Sequence, residues 1–258
     1  MNIKQRYRPI YLSAIVFLLT LTTLISFSLV TSAQVTSSGG TKLSFTPPPL
    51  PNRGLPKGRA RGGASRGEMC QTTAQPLTAL VPTQQINSME TVGGLTISAS
   101  PTLWFYVPYS LQDDDLVEFV LQDEQQNIVY QTTINHDHLA SGIVSVPLAA
   151  AKTTLTTDQL YHWYFLVYCE KDNPIFVEGW IQRISIKPEL EHQIQQATPR
   201  DRIAILAANG IWYDALTQLA TEMRNGKPND TTLIQDWESL LESAGFEIGS
   251  QPVNQPNR

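Results

Sequence analysis

Nine residues, Tyr161-His162-Trp163-Tyr164-Phe165-Leu166-Val167-Tyr168-Cys169, constrain the fold more than any other part of the chain. They include five aromatics and no Asp, Glu, Lys or Arg. Read with period 2, one face carries Tyr161, Trp163, Phe165, Val167 and Cys169, and the other His162, Tyr164, Leu166 and Tyr168. Both faces are largely apolar, which predicts a central strand covered on both sides. At a sheet edge such a strand would invite aggregation.

The chain has 258 residues, enough for one large domain or two small ones. Residues 1–33 read as a secretory signal peptide. Lys4, Arg6 and Arg8 form a basic head, Ile10 to Val30 is uncharged and apolar, and Thr31-Ser32-Ala33 offers a cut before Gln34. The alternative is an uncleaved membrane anchor, since the apolar run is near spanning length. Cleavage removes three basic residues and takes the net charge from −5 to −8. An acidic exported chain is no candidate for general nucleic-acid binding. Two cysteines in an oxidising compartment predict a Cys70–Cys169 disulfide.

Residues 34–68 read as a disordered Pro/Gly/Arg-rich tether. Thr46-Pro47-Pro48-Pro49-Leu50-Pro51 is a polyproline-type piece. Arg53 to Gly67 holds five basic residues, five glycines and no acid. From Gln71 to Ala150 there is no Lys or Arg, against eight acids. The basic arm therefore has an acidic half-domain to fold back onto.

Residues 69–187 read as short strands between turn signals, with seven or eight strands in a β-sandwich. Leu155 to Trp163 is similar to the corner before strand F of immunoglobulin-like and fibronectin-like domains, where a Tyr hydroxyl bonds back to the preceding turn. Residues 188–247 read as helices. Pro188 opens the first, Thr198-Pro199-Arg200-Asp201 caps the second, Asn209-Gly210 stops it, and Asp230 caps the last. Ala207 to Leu216 resembles the turn and second helix of a tetratricopeptide repeat. One hairpin is too few for an array, so the helices are expected to dock on the sheet, over the second face of Tyr161–Cys169. Residues 248–258 are expected to be a disordered tail.

The run Gly58-Arg59-Ala60-Arg61-Gly62-Gly63-Ala64-Ser65-Arg66-Gly67 with Cys70, then Pro101-Thr102-Leu103-Trp104-Phe105-Tyr106-Val107-Pro108, Val177-Glu178-Gly179-Trp180-Ile181-Gln182-Arg183 and Asn209 to Leu216, resemble a cyanobacterial family of exported proteins of unknown function, the domain of unknown function 928. The resemblance covers residues 53–248. It implies a periplasmic, envelope or extracellular setting, and it transfers no catalytic residue.

Several clusters carry candidate chemistry. Gly63-Ala64-Ser65-Arg66-Gly67 matches a nucleophile elbow, but lacks the strand and helix that the turn needs. His136 and His138 would share a strand face as a divalent-metal pair, with Asp113, Asp114 and Asp115 nearby in sequence as further ligands or as a solvated turn. Trp104, Tyr106, Tyr109 and Trp180 are the candidate ligand-binding aromatics, able to stack on sugars if exposed. Glu178 beside Trp180 is a candidate general acid without a second carboxylate. No catalytic set and no cofactor emerges. The leading expectation is a non-enzymatic, exported binding or interaction module whose partner is an envelope protein or polysaccharide. The alternatives are an envelope hydrolase and a glycan-binding module using exposed aromatics. His162 within hydrogen-bond reach of a carboxylate and a hydroxyl would favour the hydrolase.

Overall fold

A computed structural model describes residues 42–49, 57–62, 70, 73–86, 89–111, 115–134, 141–151, 153–169, 173–227 and 229–246. All of them belong to one compact unit, Lys42–Arg258. The expected signal segment 1–33, the Gly63–Gly67 elbow, Asp113, Asp114, His136, His138 and the tail 248–258 lie outside the described residues.

Nine described strands form two sheets. The strands are β1 (Thr78–Ala79), β2 (Thr83–Ile86), β3 (Met89–Thr96), β4 (Thr102–Val107), β5 (Leu116–Gln122), β6 (Ile128–Ile134), β7 (Gly142–Pro147), β8 (Leu160–Tyr168) and β9 (Ile175–Arg183). The larger sheet runs β2-β3-β9-β8-β5-β6, and the smaller β1-β4-β7. Pairing is antiparallel throughout except for β3 with β9. β8 is the Tyr161–Cys169 stretch, and it is central as its composition predicts.

The sheets pack face to face through aromatics. Phe105 on β4 stacks on Phe165 of β8, with centroids 4.1 Å apart, and meets Trp163 edge-on at 5.5 Å. Tyr161, Trp163, Phe165 and Val167 are all buried there, beside Val117, Phe119 and Leu121 of β5. Full burial of such side chains contributes roughly 1.5–3 kcal/mol each. The turn before β8 is fixed by Tyr161, whose hydroxyl accepts the Thr156 N–H at 3.0 Å. Cys70 and Cys169 are bonded, with Cα atoms 5.3 Å apart and 99 residues of separation. Closing so long a loop stabilises by about 4–5 kcal/mol on the chain-entropy account.

Four described helices follow: α1 (Pro188–Gln196), α2 (Pro199–Ala208), α3 (Trp212–Asn225) and α4 (Thr231–Ser243). The predicted caps are in place. The Thr198 side chain accepts the Asp201 N–H, and Asp230 accepts those of Thr232 and Leu233. Such caps contribute about 1 kcal/mol each. Gly210 has φ +74° and lies against Pro48, where a Cβ would come within 3.0 Å of the proline ring. Both the backbone conformation and the close approach require glycine.

The helices dock by the first turn of α3. Trp212 donates through Nε1 to the Leu80 carbonyl at 2.8 Å. The Tyr213 hydroxyl accepts from Trp163 Nε1 at 3.0 Å and donates to the Trp180 carbonyl at 2.9 Å. Asp214 accepts from Thr96 Oγ1 at 2.7 Å and from the Ile97 N–H at 3.1 Å. Further along α3, Thr217 accepts from Trp104 Nε1 at 3.0 Å. Burial pushes the Tyr213 phenol and the Asp214 carboxyl above their ordinary ranges.

This docking corrects the expected placement. Trp163 and Gly94 belong to the inner face of the larger sheet, and Gly94 abuts Trp212 and Tyr213. The three-stranded sheet is too narrow to cover that face at β3, and α3 closes the gap. It continues over the outer face of β4, where Arg224 lies 4.9 Å above the Trp104 ring. The outer face of β8, where helices were expected, keeps His162, Tyr164, Leu166 and Tyr168 only half-buried.

The tether expectation is corrected too. Leu43 and Phe45 are buried in the core, Phe45 meets Trp212 edge-on at 5.0 Å, and the Thr46 N–H donates to the Ala207 carbonyl. Two apolar side chains in a Ser/Pro-rich stretch suffice to anchor it. Lys57–Gly62 bridges the two sheets, with Arg59 paired to Glu178 and Arg61 to Thr78. The basic arm does fold back here, through backbone hydrogen bonds.

Candidate binding face

The outer face of the larger sheet is set by strand parity and register. Tyr164 of β8 stands between Val120 of β5 and Glu178 of β9. One row along, Leu166 stands between Glu118 and Phe176; in the other direction His162 stands between Gln122 and Trp180. Tyr168 closes the face opposite Leu116. Rows on one face of a strand are about 6.6 Å apart and neighbouring strands about 4.8 Å apart. The face is therefore a lattice of aromatic, aliphatic and carboxylate groups.

A polar string crosses it. The Tyr164 hydroxyl lies 3.1 Å from His162 Nδ1, and His162 Nε2 lies 3.0 Å from Glu178 Oε2. The His162 and Glu178 side chains are each 20 % exposed, with His162 Nε2 itself buried between them. Tyr164 donates to an unprotonated Nδ1, whereas Nε2 lies close to Glu178 without a hydrogen bond of good geometry. Burial, and then the charge of Glu178, hold the Tyr164 phenol above its usual range. It keeps its proton near neutrality and acts as a donor. A second string lies at the β5 side. Glu118 accepts from Gln131 Nε2 at 2.6 Å and from the Tyr168 hydroxyl at 3.4 Å. Burial, then the charge of Glu118, raises the Tyr168 phenol likewise. At the β9 side the Arg59 guanidinium covers the Phe176 ring at 4.5 Å.

The predicted aromatic platform is not formed. Trp104, Tyr109 and Trp180 are buried and Tyr106 is half-buried. Trp104 faces α3 on the outer side of the smaller sheet, whereas Trp180 lies over Gly93 on the outer side of the larger one. The two rings are on opposite sides of the sandwich and share no plane. Burial also raises the Tyr109 phenol. Glu178 and His162, both singled out in the sequence, do meet. Phe176 and Glu118 were not foreseen as their neighbours, because cross-strand register is a non-local property. The parity of β8 carried the signal for Tyr164 and Tyr168.

A cleft of about 400 Å³ opens beside the Lys57–Gly62 segment, lined by Arg59, Arg61, Thr78, Glu90 and the Ala244–Phe246 turn. Its charges are mixed. Among the described residues no group of three or more His, Cys, Asp or Glu is arranged to hold a metal. The candidate pair His136 and His138 lies outside those residues. No described helix is long and apolar enough to cross a membrane.

The model of the family described as Domain of Unknown Function (DUF928) matches residues 61–255. No curated protein and no solved structure matches the chain.

Proposed function

The chain belongs to the DUF928 family, and on that footing we propose that it is an exported binding module of the cell envelope, working through the outer face of the larger sheet. The basic, apolar and small-residue pattern of residues 1–33 supports export. The Cys70–Cys169 bond is consistent with an oxidising compartment. The sandwich is read as immunoglobulin-like or fibronectin-like, supported by the Thr156–Tyr161 corner. The α2–α3 pair is read as a single tetratricopeptide-like hairpin, spent on docking rather than on peptide binding.

One observation carries the binding reading. Tyr164, Tyr168 and Phe176 stand half-buried on a face that the helices leave open, beside Glu118 and Glu178. Half-exposed rings offer stacking surface, and carboxylates accept hydrogen bonds from hydroxyls. That pairing suits a hydroxyl-rich envelope polysaccharide. Among the described residues, the two carboxylates beside Arg59 disfavour a polyanion.

The test is retention of the mature protein on purified envelope polysaccharide. A Tyr168→Ser/Phe176→Ser variant with an unchanged far-ultraviolet spectrum is expected to lose at least tenfold in affinity. Equal retention would refute this face as the binding surface. A second reading, an envelope hydrolase, is favoured by the hydroxyl–imidazole–carboxylate order of Tyr164, His162 and Glu178. The raised phenol makes this reading depend on the His162 imidazole serving as the base. Turnover of an activated ester that vanishes in Tyr164→Phe would establish it.

A further inference from the structure

β6 is an edge strand. Among the described residues it pairs with β5 alone. Its seven residues, Ile128-Val129-Tyr130-Gln131-Thr132-Thr133-Ile134, contain no charge and no proline. Edge strands are ordinarily protected by a lysine, a proline, an inward charge or a bulge. Among the described residues only a bulge is present, at Leu121/Gln122, and it disturbs the Ile128 end. Tyr130 to Ile134 keeps regular register with Leu121 to Val117. The exposed large apolar side chains of the described residues concentrate here. Ile128 is 56 % exposed, Val129 38 % and Leu116 of the adjoining strand 41 %, with Ile234 the one other.

We propose that β6 pairs antiparallel with β6 of a second copy, joining two larger sheets into one continuous sheet. The occupant follows from symmetry and charge. Two identical edges meet edge to edge about a two-fold axis perpendicular to the sheet, which makes the strands antiparallel and the contact closed. With the axis at Gln131, Tyr130 meets Thr132; with the axis at Thr132, Tyr130 meets Ile134. Neither register brings a charged residue into the pair. Among the described residues, Glu118 on this face sits one strand inward and is held by Gln131 and Tyr168. Its symmetry mate is three strand spacings away, about 14 Å, beyond the screening length of about 8 Å at physiological salt. A charged foreign strand gains nothing from this edge, whereas an uncharged identical one meets no repulsion. Pairing one strand buries far less than the roughly 1,200–2,000 Å² of a stable interface. The dimer is therefore weak and reversible. The same axis keeps both outer faces on one side, so the pair presents two copies of the candidate binding face to one polymer.

Sedimentation equilibrium of the disulfide-intact mature chain tests this without reference to any ligand. The chain is expected to be monomeric near ~1 μM and substantially dimeric by ~100 μM, as a weak interface of this size implies. Val129 and Thr133 are exposed, and because Thr133 pairs with Glu118 each variant is compared with the original by far-ultraviolet spectrum and urea midpoint before it is sedimented. A Val129→Lys/Thr133→Lys variant should stay monomeric, because like charges then stand directly opposite each other with the axis at Gln131 and diagonally adjacent with it at Thr132. So should Val129→Glu/Thr133→Glu. An equimolar mixture of the two should dimerise more tightly than the unaltered chain. A monomer at every concentration overturns the proposal. So does a lysine variant that dimerises as well as the original, or a mixture that fails to associate.

Discussion

The two faces of β8 are built from the same kind of residue and end in different states. The inner face, with Trp163 and Phe165, is dry and fully partnered: Phe105 stacks on one ring and Tyr213 takes the indole proton of the other. The outer face, with His162, Tyr164 and Tyr168, is half-open, and its polar atoms are tied to one another and to Glu118 and Glu178. Bulk and aromaticity alone do not separate a core face from a working face. What separates them is where the polar atoms of the aromatics go. On the inner face they anchor a helix to a sheet, and on the outer face they remain within reach of solvent.

Substitutions on either side should separate the two faces by size of effect. Trp163→Ala empties the centre of the inner face and leaves the Tyr213 hydroxyl without its donor. It should cost about 3–5 kcal/mol in urea unfolding. Tyr213→Phe keeps the ring but strands the Trp163 indole and the Trp180 carbonyl, for about 1–3 kcal/mol. Asp214→Asn acts through pH. Burial raises the folded carboxyl above its unfolded value, so the folded chain binds that proton more tightly. Its contribution is full below the unfolded pKa of about 3.9 and declines as pH rises through the raised folded value. Asparagine removes that decline, so the unfolding midpoint of the variant should gain on the original as pH rises from 3 to 7. Tyr164→Phe on the outer face should cost no more than about 1 kcal/mol. An outer-face effect as large as that of Trp163→Ala would erase the distinction.

Much of this was legible locally. The alternation in Tyr161–Cys169, the caps at Thr198 and Asp230 and the presence of just two cysteines are properties read from short segments and residue counts. Parity showed that β8 has two apolar faces, but not which partner covers which. That depends on the smaller sheet having three strands, too few to reach β3, so that the first turn of α3 fills the space. Leu43 and Phe45 escaped notice because two apolar residues among serines and prolines show no periodicity. Trp104 and Trp180 looked alike in the sequence and lie on opposite sides of the sandwich. The meeting of Glu178 with His162 and Tyr164 required the β8–β9 register, which no local pattern encodes.

The account rests on α3 and the inner face of β8 forming one cooperative unit, with the outer face outside that closure. Native-state hydrogen exchange across a urea series measures this directly, by following the amides of Trp163 to Val167 and of Leu216 to Ala220. Both sets should exchange through the same global opening, with equal free energies and equal urea slopes. Exchange of the α3 amides through a separate, lower-energy opening with a smaller slope, while β8 stays protected, would contradict it.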